Sequence, residues 1–192
     1  MGLEDLALFR SVPGCTVLYP SDAVSAEACV EAMATHEGLA YLRTTRPATA
    51  LLYPAGESFP IGGSKVLRKS AADAVTVIAA GITLHEALKA AAELEKDGLA
   101  VRIIDAYSVA PLDAATIARE VAGTGGRAVV VEDHYAAGGL GEVVAAALAG
   151  RAVLKHLCVR EMPRSGKPEE LLDRYGISAG HIAGAVRTLC GR

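Results

Sequence analysis

From Ala74 onward, short β-branched runs alternate with helix-length stretches, and that rhythm limits what the chain can fold into more than any other feature. Val75-Thr76-Val77-Ile78-Ala79-Ala80 reads as a buried strand closed by Gly81. Thr83, with Glu86 three residues later, predicts a capping box and a helix running to about Lys96 before Asp97-Gly98. A second strand is expected over 99–105, and Pro111-Leu112-Asp113 opens a helix over Ala114–Ala122 that ends at Gly123-Thr124-Gly125-Gly126. A third strand follows over 128–132, a helix over 142–149 and a fourth strand over Val153–Val159. Short helices near 168–175 and 178–190 finish the chain. Strands and helices of these lengths in alternation predict parallel βαβ units with right-handed crossovers. The expected fold is α/β: an open, mostly parallel sheet with helices on both faces.

Residues 1–60 form an incomplete α/β unit. Thr16-Val17-Leu18-Tyr19 and Leu39-Ala40-Tyr41-Leu42-Arg43 read as strands, with a helix over 24–34 that Ser21 or Asp22 can cap. Two strands and one crossover cannot bury both faces of a parallel sheet, so further strands must come from another segment or another chain. An exposed half-sheet of this kind also favours self-association. Pro54, Gly56, Pro60 and Gly62-Gly63 punctuate the stretch that follows. The division expected is therefore 1–60 as the incomplete unit, 61–72 as linker and 73–192 as a complete α/β domain.

Composition narrows the function classes. With 52% hydrophobic and 21% charged residues the chain is globular, and 192 residues suffice for one domain and part of a second. A net charge of −3 gives no electrostatic reason to expect nucleic acid or an anionic membrane as partner. Every apolar run is broken by charge before bilayer length, and the N-terminus carries neither a basic, apolar leader nor a myristoylation pattern, since Leu6 stands where Ser or Thr is needed. Cys15, Cys29, Cys158 and Cys190 are dispersed, without the close pairs that zinc or redox chemistry uses, and are read as reduced thiols of a cytoplasmic protein.

Four stretches carry possible site chemistry. Glu132-Asp133-His134-Tyr135 puts an imidazole among carboxylates at a strand end, as a general acid–base site would, or as a strand-end packing cluster would. Gly138-Gly139-Leu140-Gly141 suits either phosphate cradling or close approach of a helix to a strand; it lacks the dinucleotide-binding spacing. Arg43-Thr44-Thr45-Arg46-Pro47 lies at the carboxyl end of a strand, the edge where open α/β sheets bind ligands. A guanidinium there suits a phosphate or carboxylate bidentately, or equally a surface ion pair, and Arg46 is the favoured donor because Pro47 fixes the chain direction just after it. Met162-Pro163-Arg164-Ser165-Gly166-Lys167-Pro168 reads as a rigid connector or an anion site before a helix.

Six ordered segments resemble the carboxyl-terminal part of transketolases. They are the strings from Leu3 to Pro13 and from Tyr19 to Asp22, Arg43-Thr44-Thr45-Arg46-Pro47, the run from Val75 to Leu88, the run from Val131 to Glu142, and Pro163-Arg164-Ser165-Gly166-Lys167-Pro168. The resemblance covers essentially the whole chain and is closest to the animal-type enzymes. It implies that residues 1–60 are the end of a pyrimidine-binding domain and that 73–192 are the C-terminal domain. It implies a transferase of the pentose phosphate pathway that moves a two-carbon ketol unit from a ketose phosphate to an aldose phosphate. The complete enzyme would be a cytoplasmic homodimer using thiamine diphosphate and magnesium. The family's Gly-Asp-Gly…Asn motif for the magnesium diphosphate is not in this sequence, and its catalytic glutamate, substrate-contacting histidines and ketose-recognising aspartate would lie upstream. No catalytic, cofactor-binding or metal residue therefore carries over. Arg46 alone matches a functional residue, the arginine that grips the sugar phosphate, and the chain by itself is expected to be inactive. The resemblance assigns Glu132 and His134 to a supporting domain away from the cofactor. A start inside a domain fits either a fragment or a split subunit that docks on a separate cofactor-binding chain. A subunit of a related thiamine enzyme, of 2-oxo acid dehydrogenase β type or a deoxyxylulose-phosphate synthase, is the remaining alternative.

Overall fold

The computed structural model describes residues 2–192. Helix α1 (Asp5–Arg10) leads into strand β1 (Thr16–Leu18), helix α2 (Ala23–Ala34) and strand β2 (Ala40–Leu42). Asp22 starts α2 as expected: its carboxylate accepts from the Ser25 amide at 2.8 Å, and Ser25 returns a contact to the Asp22 amide at 3.0 Å. Strand β3 (Lys65–Arg68) and strand β4 (Asp73–Ala79) follow, then helix α3 (Ile82–Lys96), β5 (Ala100–Asp105), β6 (Ser108–Ala110) and α4 (Ala114–Ala122). The chain closes with β7 (Arg127–Tyr135), α5 (Leu140–Ala147), β8 (Val153–Val159), α6 (Pro168–Arg174) and α7 (Ala179–Leu189).

Two sheets result. The larger has the order β3-β5-β4-β7-β8, with β5, β4, β7 and β8 parallel and β3 antiparallel on the β5 edge. Alternation along each strand divides its side chains between two cores. Val75, Val77, Val101, Ile103, Val129 and Val131 face α3 and α7. Ile78, Ile104, Ala128 and Val130 face α4 and α5, together with Leu6, Val17 and Tyr19 from the N-terminal unit. Each fully buried aliphatic side chain contributes roughly 1.5–3 kcal/mol of transfer free energy, and both faces are covered as an all-parallel core requires.

The smaller sheet has the order β2-β1-β6, with β1 and β2 parallel and β6 antiparallel to β1. One of the strands missing from the N-terminal unit therefore comes from later in the same chain. Three residues are too few for periodicity to reveal β6. The stretch expected to be a linker holds β3, whose alternation over four residues, Lys65-Val66-Leu67-Arg68, is equally faint. The capping box expected at Thr83 does not form. Gly81 is the N-cap residue of α3, and the Thr83 hydroxyl instead donates to the carbonyls of Ala80 and Val131 at 2.9 and 3.0 Å. Glu86 reaches away to accept the amide of Ala179 at the start of α7, at 2.9 Å. A tertiary contact has taken both partners of a local motif.

Candidate functional site

Arg46 lies just beyond the carboxyl end of β2, exposed, and it makes no ion pair with any described residue. Beside it is a cleft of about 290 Å³ lined by Ser21, Asp22, Thr44, Thr45, Pro47 and Thr49, among others. The cleft presents hydroxyls at a strand end, and Thr45 and Pro47, the residues on either side of Arg46, line it while Arg46 itself does not. Asp22 does not oppose an anion there strongly, because its carboxylate is already occupied by the amides of Ser25, Leu52 and Tyr53. Burial would raise its carboxyl, but the Ser25 hydroxyl, donating at 2.7 Å, and those amides outweigh it and hold the group below the usual range.

Arg43, three residues earlier, is only 3% exposed. Its Nε lies 3.2 Å from Asp5 Oδ2, its Nη1 lies 3.3 Å from Asp133 Oδ1, and its Nη2 donates to the Asp133 carbonyl at 3.0 Å. The guanidinium also lies 4.7 Å from the centroid of the Tyr19 ring, whose hydroxyl donates to Asp133 Oδ2 at 3.0 Å. Burial opposes the charge on Arg43, but Asp133, Tyr19 and Asp5 outweigh it and hold the group firmly protonated. The Tyr19 ring fills the space over Gly81, where φ is +57° and any Cβ would overlap the ring. Gly81 stands at the carboxyl end of β4, beside β7, at the point where the parallel strand order reverses. In this chain that crevice is filled by a tyrosine.

The Glu132–His134 stretch is fully engaged in packing. Glu132, 3% exposed, accepts the amides of Leu140 and Gly141 at 2.6 and 2.8 Å, so its carboxylate caps α5 from the neighbouring strand. Its Oε1 also lies 2.6 Å from His156 Nε2. The contacts with Cys158 and Glu132, opposed by burial, push the His156 imidazole up to about 9. His134 is buried, with Nδ1 facing the Tyr135 carbonyl at 2.8 Å and Nε2 accepting the Ala7 amide at 3.3 Å. Neither ring nitrogen is left to move a substrate proton. Gly139 and Gly141 permit close approach, since a Cβ on either would overlap Glu132 or His156. The stretch from Gly138 to Gly141 thus brings a helix down onto a strand.

Asp105, at the carboxyl end of β5, is completely buried. Its Oδ2 accepts the hydroxyls of Tyr53 at 2.7 Å and Ser21 at 3.2 Å, while Oδ1 has no partner among the described residues. Burial pushes its carboxyl up to about 7, against the pull of those two bonds. The loop from Met162 to Lys167 is largely exposed, and Pro168 opens α6 at its first turn. Arg164 donates its amide to the Tyr175 hydroxyl at 2.7 Å, a connector's tie. The four cysteines are unpaired thiols. Among the described residues no group of three or more His, Cys, Asp or Glu is arranged to hold a metal ion, and no helix is long and apolar enough to cross a membrane.

Comparison with known families settles the lineage. Residues 64–182 match the model described as transketolase, C-terminal domain, and residues 1–50 match transketolase, pyrimidine binding domain. The chain belongs to the transketolase family. Transketolase-like protein 2 of Mus musculus is 56% identical over 189 residues, covering 97% of this chain and 30% of its own length. Transketolase of Homo sapiens is 49% identical over 191 residues, covering 98% of this chain and 31% of its own. The chain thus spans about 30% of the length of these curated relatives. A solved structure described as "Split gene transketolase, inactive beta4 tetramer" superposes with a TM-score of 0.91 at 33% identity, over 100% of this chain and 62% of that one. A transketolase from Campylobacter jejuni superposes at 0.70 with 17% identity, over 100% of this chain and 28% of that one, a likeness of fold.

In this transketolase-family chain the most chemically dense stretch of sequence is engaged in packing, and the plainer string around Arg46 holds an exposed guanidinium without an ion-pair partner among the described residues. The sequence signalled Arg46 through strand-end position and Pro47. It gave no sign that Arg43 would be buried against Asp133, or that Asp105 would keep an unpartnered oxygen. Those partners are 90 and 84 positions apart in the chain.

Proposed function

We propose that this chain is part of a transketolase, with residues 1–60 the end of the pyrimidine-binding domain and 73–192 the C-terminal domain, joined through 61–72. The complete protein then transfers a two-carbon ketol unit from a ketose phosphate to an aldose phosphate, as a cytoplasmic homodimer. The observation that carries this reading is the ordered match of two transketolase family models along one chain, 1–50 then 64–182. Among the described residues no group of three or more His, Cys, Asp or Glu is arranged to hold magnesium, so in this reading the metal and the diphosphate it binds are held elsewhere in the complete enzyme. The chain alone is then expected to be inactive.

Arg46 is the phosphate contact in this reading. It is supported by its exposure, its lack of an ion-pair partner among the described residues and the hydroxyl-lined cleft beside it. A charge-assisted hydrogen bond is worth about 1.5–3 kcal/mol. Arg46→Ala in the complete enzyme should therefore raise KM for phosphorylated substrates roughly tenfold to hundredfold, with little change for non-phosphorylated ketoses. Equal effects on both substrate classes would remove Arg46 from the phosphate site. Calorimetry on the isolated chain should detect no thiamine diphosphate binding with magnesium, and micromolar binding would overturn that assignment.

A second reading, a split subunit docking on a separate cofactor-binding chain, is favoured by one observation. The neighbour described as a split-gene transketolase in an inactive tetramer matches this chain along its whole length. Activity that appears only on mixing with such a second chain would select it.

A further inference from the structure

We propose that Asp133 and Tyr19 are positioning residues for substrate phosphate: by clamping the Arg43 guanidinium they fix the end of β2 and, through it, the loop that carries Arg46. This rests on the reading of Arg46 as the phosphate contact. Asp133 belongs to β7 of the five-stranded sheet, whereas Arg43 and Arg46 belong to the N-terminal unit. The clamp is thus one point at which the second unit reaches the substrate side of the first, beside the contact of Asp105 with Ser21.

The mechanical argument starts from what holds the loop. Residues 44–51 make no hydrogen bond with any other described residue, and Thr44, Arg46, Pro47, Ala48, Ala50 and Leu51 are exposed. The segment therefore hangs between two anchors. On the far side, Asp22 Oδ2 accepts the amides of Leu52 and Tyr53 at 2.7 and 3.2 Å. On the near side stands Arg43. Its amide donates to the Leu18 carbonyl at 2.9 Å, continuing the pairing of β2 with β1. Its side chain is held at three nitrogens, by Asp5 and by the carboxylate and carbonyl of Asp133, with the Tyr19 ring against its face. Tyr19 is in turn fixed at both ends. Its amide donates to the Tyr107 carbonyl at 2.7 Å, and its hydroxyl donates to Asp133 and lies 3.4 Å from the Ile82 amide.

A bidentate, stacked guanidinium resists rotation as well as translation. Only Thr44 and Thr45 separate it from Arg46, and Pro47 removes one torsion just beyond. Freedom regained at Arg43 is passed directly to the residue meant to meet the phosphate. Small misplacements of a binding group lower affinity steeply. The electrostatic consequence of losing Asp133 runs the other way. Deleting a carboxylate makes the neighbourhood more positive and would by itself tighten phosphate binding. The sign of the effect therefore separates positioning from charge.

The test uses Asp133→Asn, which keeps shape, and Tyr19→Phe, which keeps the ring but deletes its hydroxyl. In the complete enzyme Asp133→Asn should raise KM for phosphorylated substrates roughly three- to tenfold, with kcat and the kinetics of non-phosphorylated ketoses unchanged. Tyr19→Phe should do the same more weakly, and neither change should add to Arg46→Ala. On this chain itself, hydrogen exchange at the Arg43 amide should quicken in Asp133→Asn while Leu52 and Tyr53 stay as they were. An unchanged or lowered KM, equal losses on both substrate classes, or unaltered or globally accelerated exchange would overturn the proposal. If Arg46→Ala itself shows no selectivity for phosphate, the reading of Arg46 falls and takes the substrate half with it. The exchange measurement then still decides whether the clamp holds the loop.

Discussion

Replacing Asp105 with asparagine should stabilise the chain in mildly alkaline solution and do progressively less as the pH falls. The carboxyl is wholly buried, one of its oxygens lacks a partner among the described residues, and it titrates near 7 in the fold against an ordinary value of 3.8. Below pH 3.8 the folded and unfolded chains both hold the proton, and Asp105 makes stability no more pH-dependent. Between 3.8 and about 7 the unfolded chain gives up the proton while the folded chain keeps it, so stability falls as pH rises, by about 1.36 kcal/mol per unit. Above about 7 both are ionised and the penalty levels off, at about 4 kcal/mol. Asparagine carries no charge to bury, keeps an oxygen for the hydroxyls of Tyr53 and Ser21, and removes the dependence. Urea unfolding of both proteins at pH 5, 6.5 and 8 measures it. The stability difference between Asp105→Asn and the parent should grow in favour of the variant by about 3 kcal/mol from pH 5 to pH 8. In a domain of this size that is roughly 6–12 °C in Tm. Taking the difference cancels the contribution of every group whose titration the substitution leaves unchanged. A gap that stays constant with pH would show that Asp105 is ionised in the fold at all these values, and the argument from burial would fail.

Two further predictions concern the junction between β7 and α5. Glu132→Gln removes the charge that caps α5 and pairs with His156, and should cost about 1–3 kcal/mol near pH 6 by urea unfolding. His156 is raised to about 9 from 6.5, so the stability of that pair is complete below 6.5 and fades as pH passes 9. The cost of the substitution should shrink accordingly in alkaline solution, and a cost independent of pH would refute the charged pairing. Gly141→Ala should destabilise by about 2 kcal/mol although alanine is the better helix former, because the added Cβ overlaps His156 and must displace it. A neutral or stabilising result, read from the thermal midpoint, would mean that α5 does not need its close approach to β8.

Much of this protein is determined by its sequence alone. The β-branched runs at Val75, Val101 and Val129, and the helices between them, specify the parallel sheet, because periodicity and burial on two faces are local properties repeated along the chain. The six ordered motifs likewise point to the transketolase family without any coordinate. Strand-end position and Pro47 make Arg46 a candidate phosphate contact by rules that act over a few residues. Tertiary structure alone decided the rest. β6 joins the smaller sheet and β3 edges the larger one, though each is too short to show a pattern. Glu86 leaves a local cap for the start of α7, and Glu132 becomes the cap of α5 in place of an acid catalyst. Arg43 turns inward to Asp133, and Asp105 keeps an unpartnered oxygen beside Ser21 and Tyr53. Each of these outcomes depends on which groups the fold brings within hydrogen-bonding distance of one another. That is set by how two units pack, and no residue's neighbours in sequence record it.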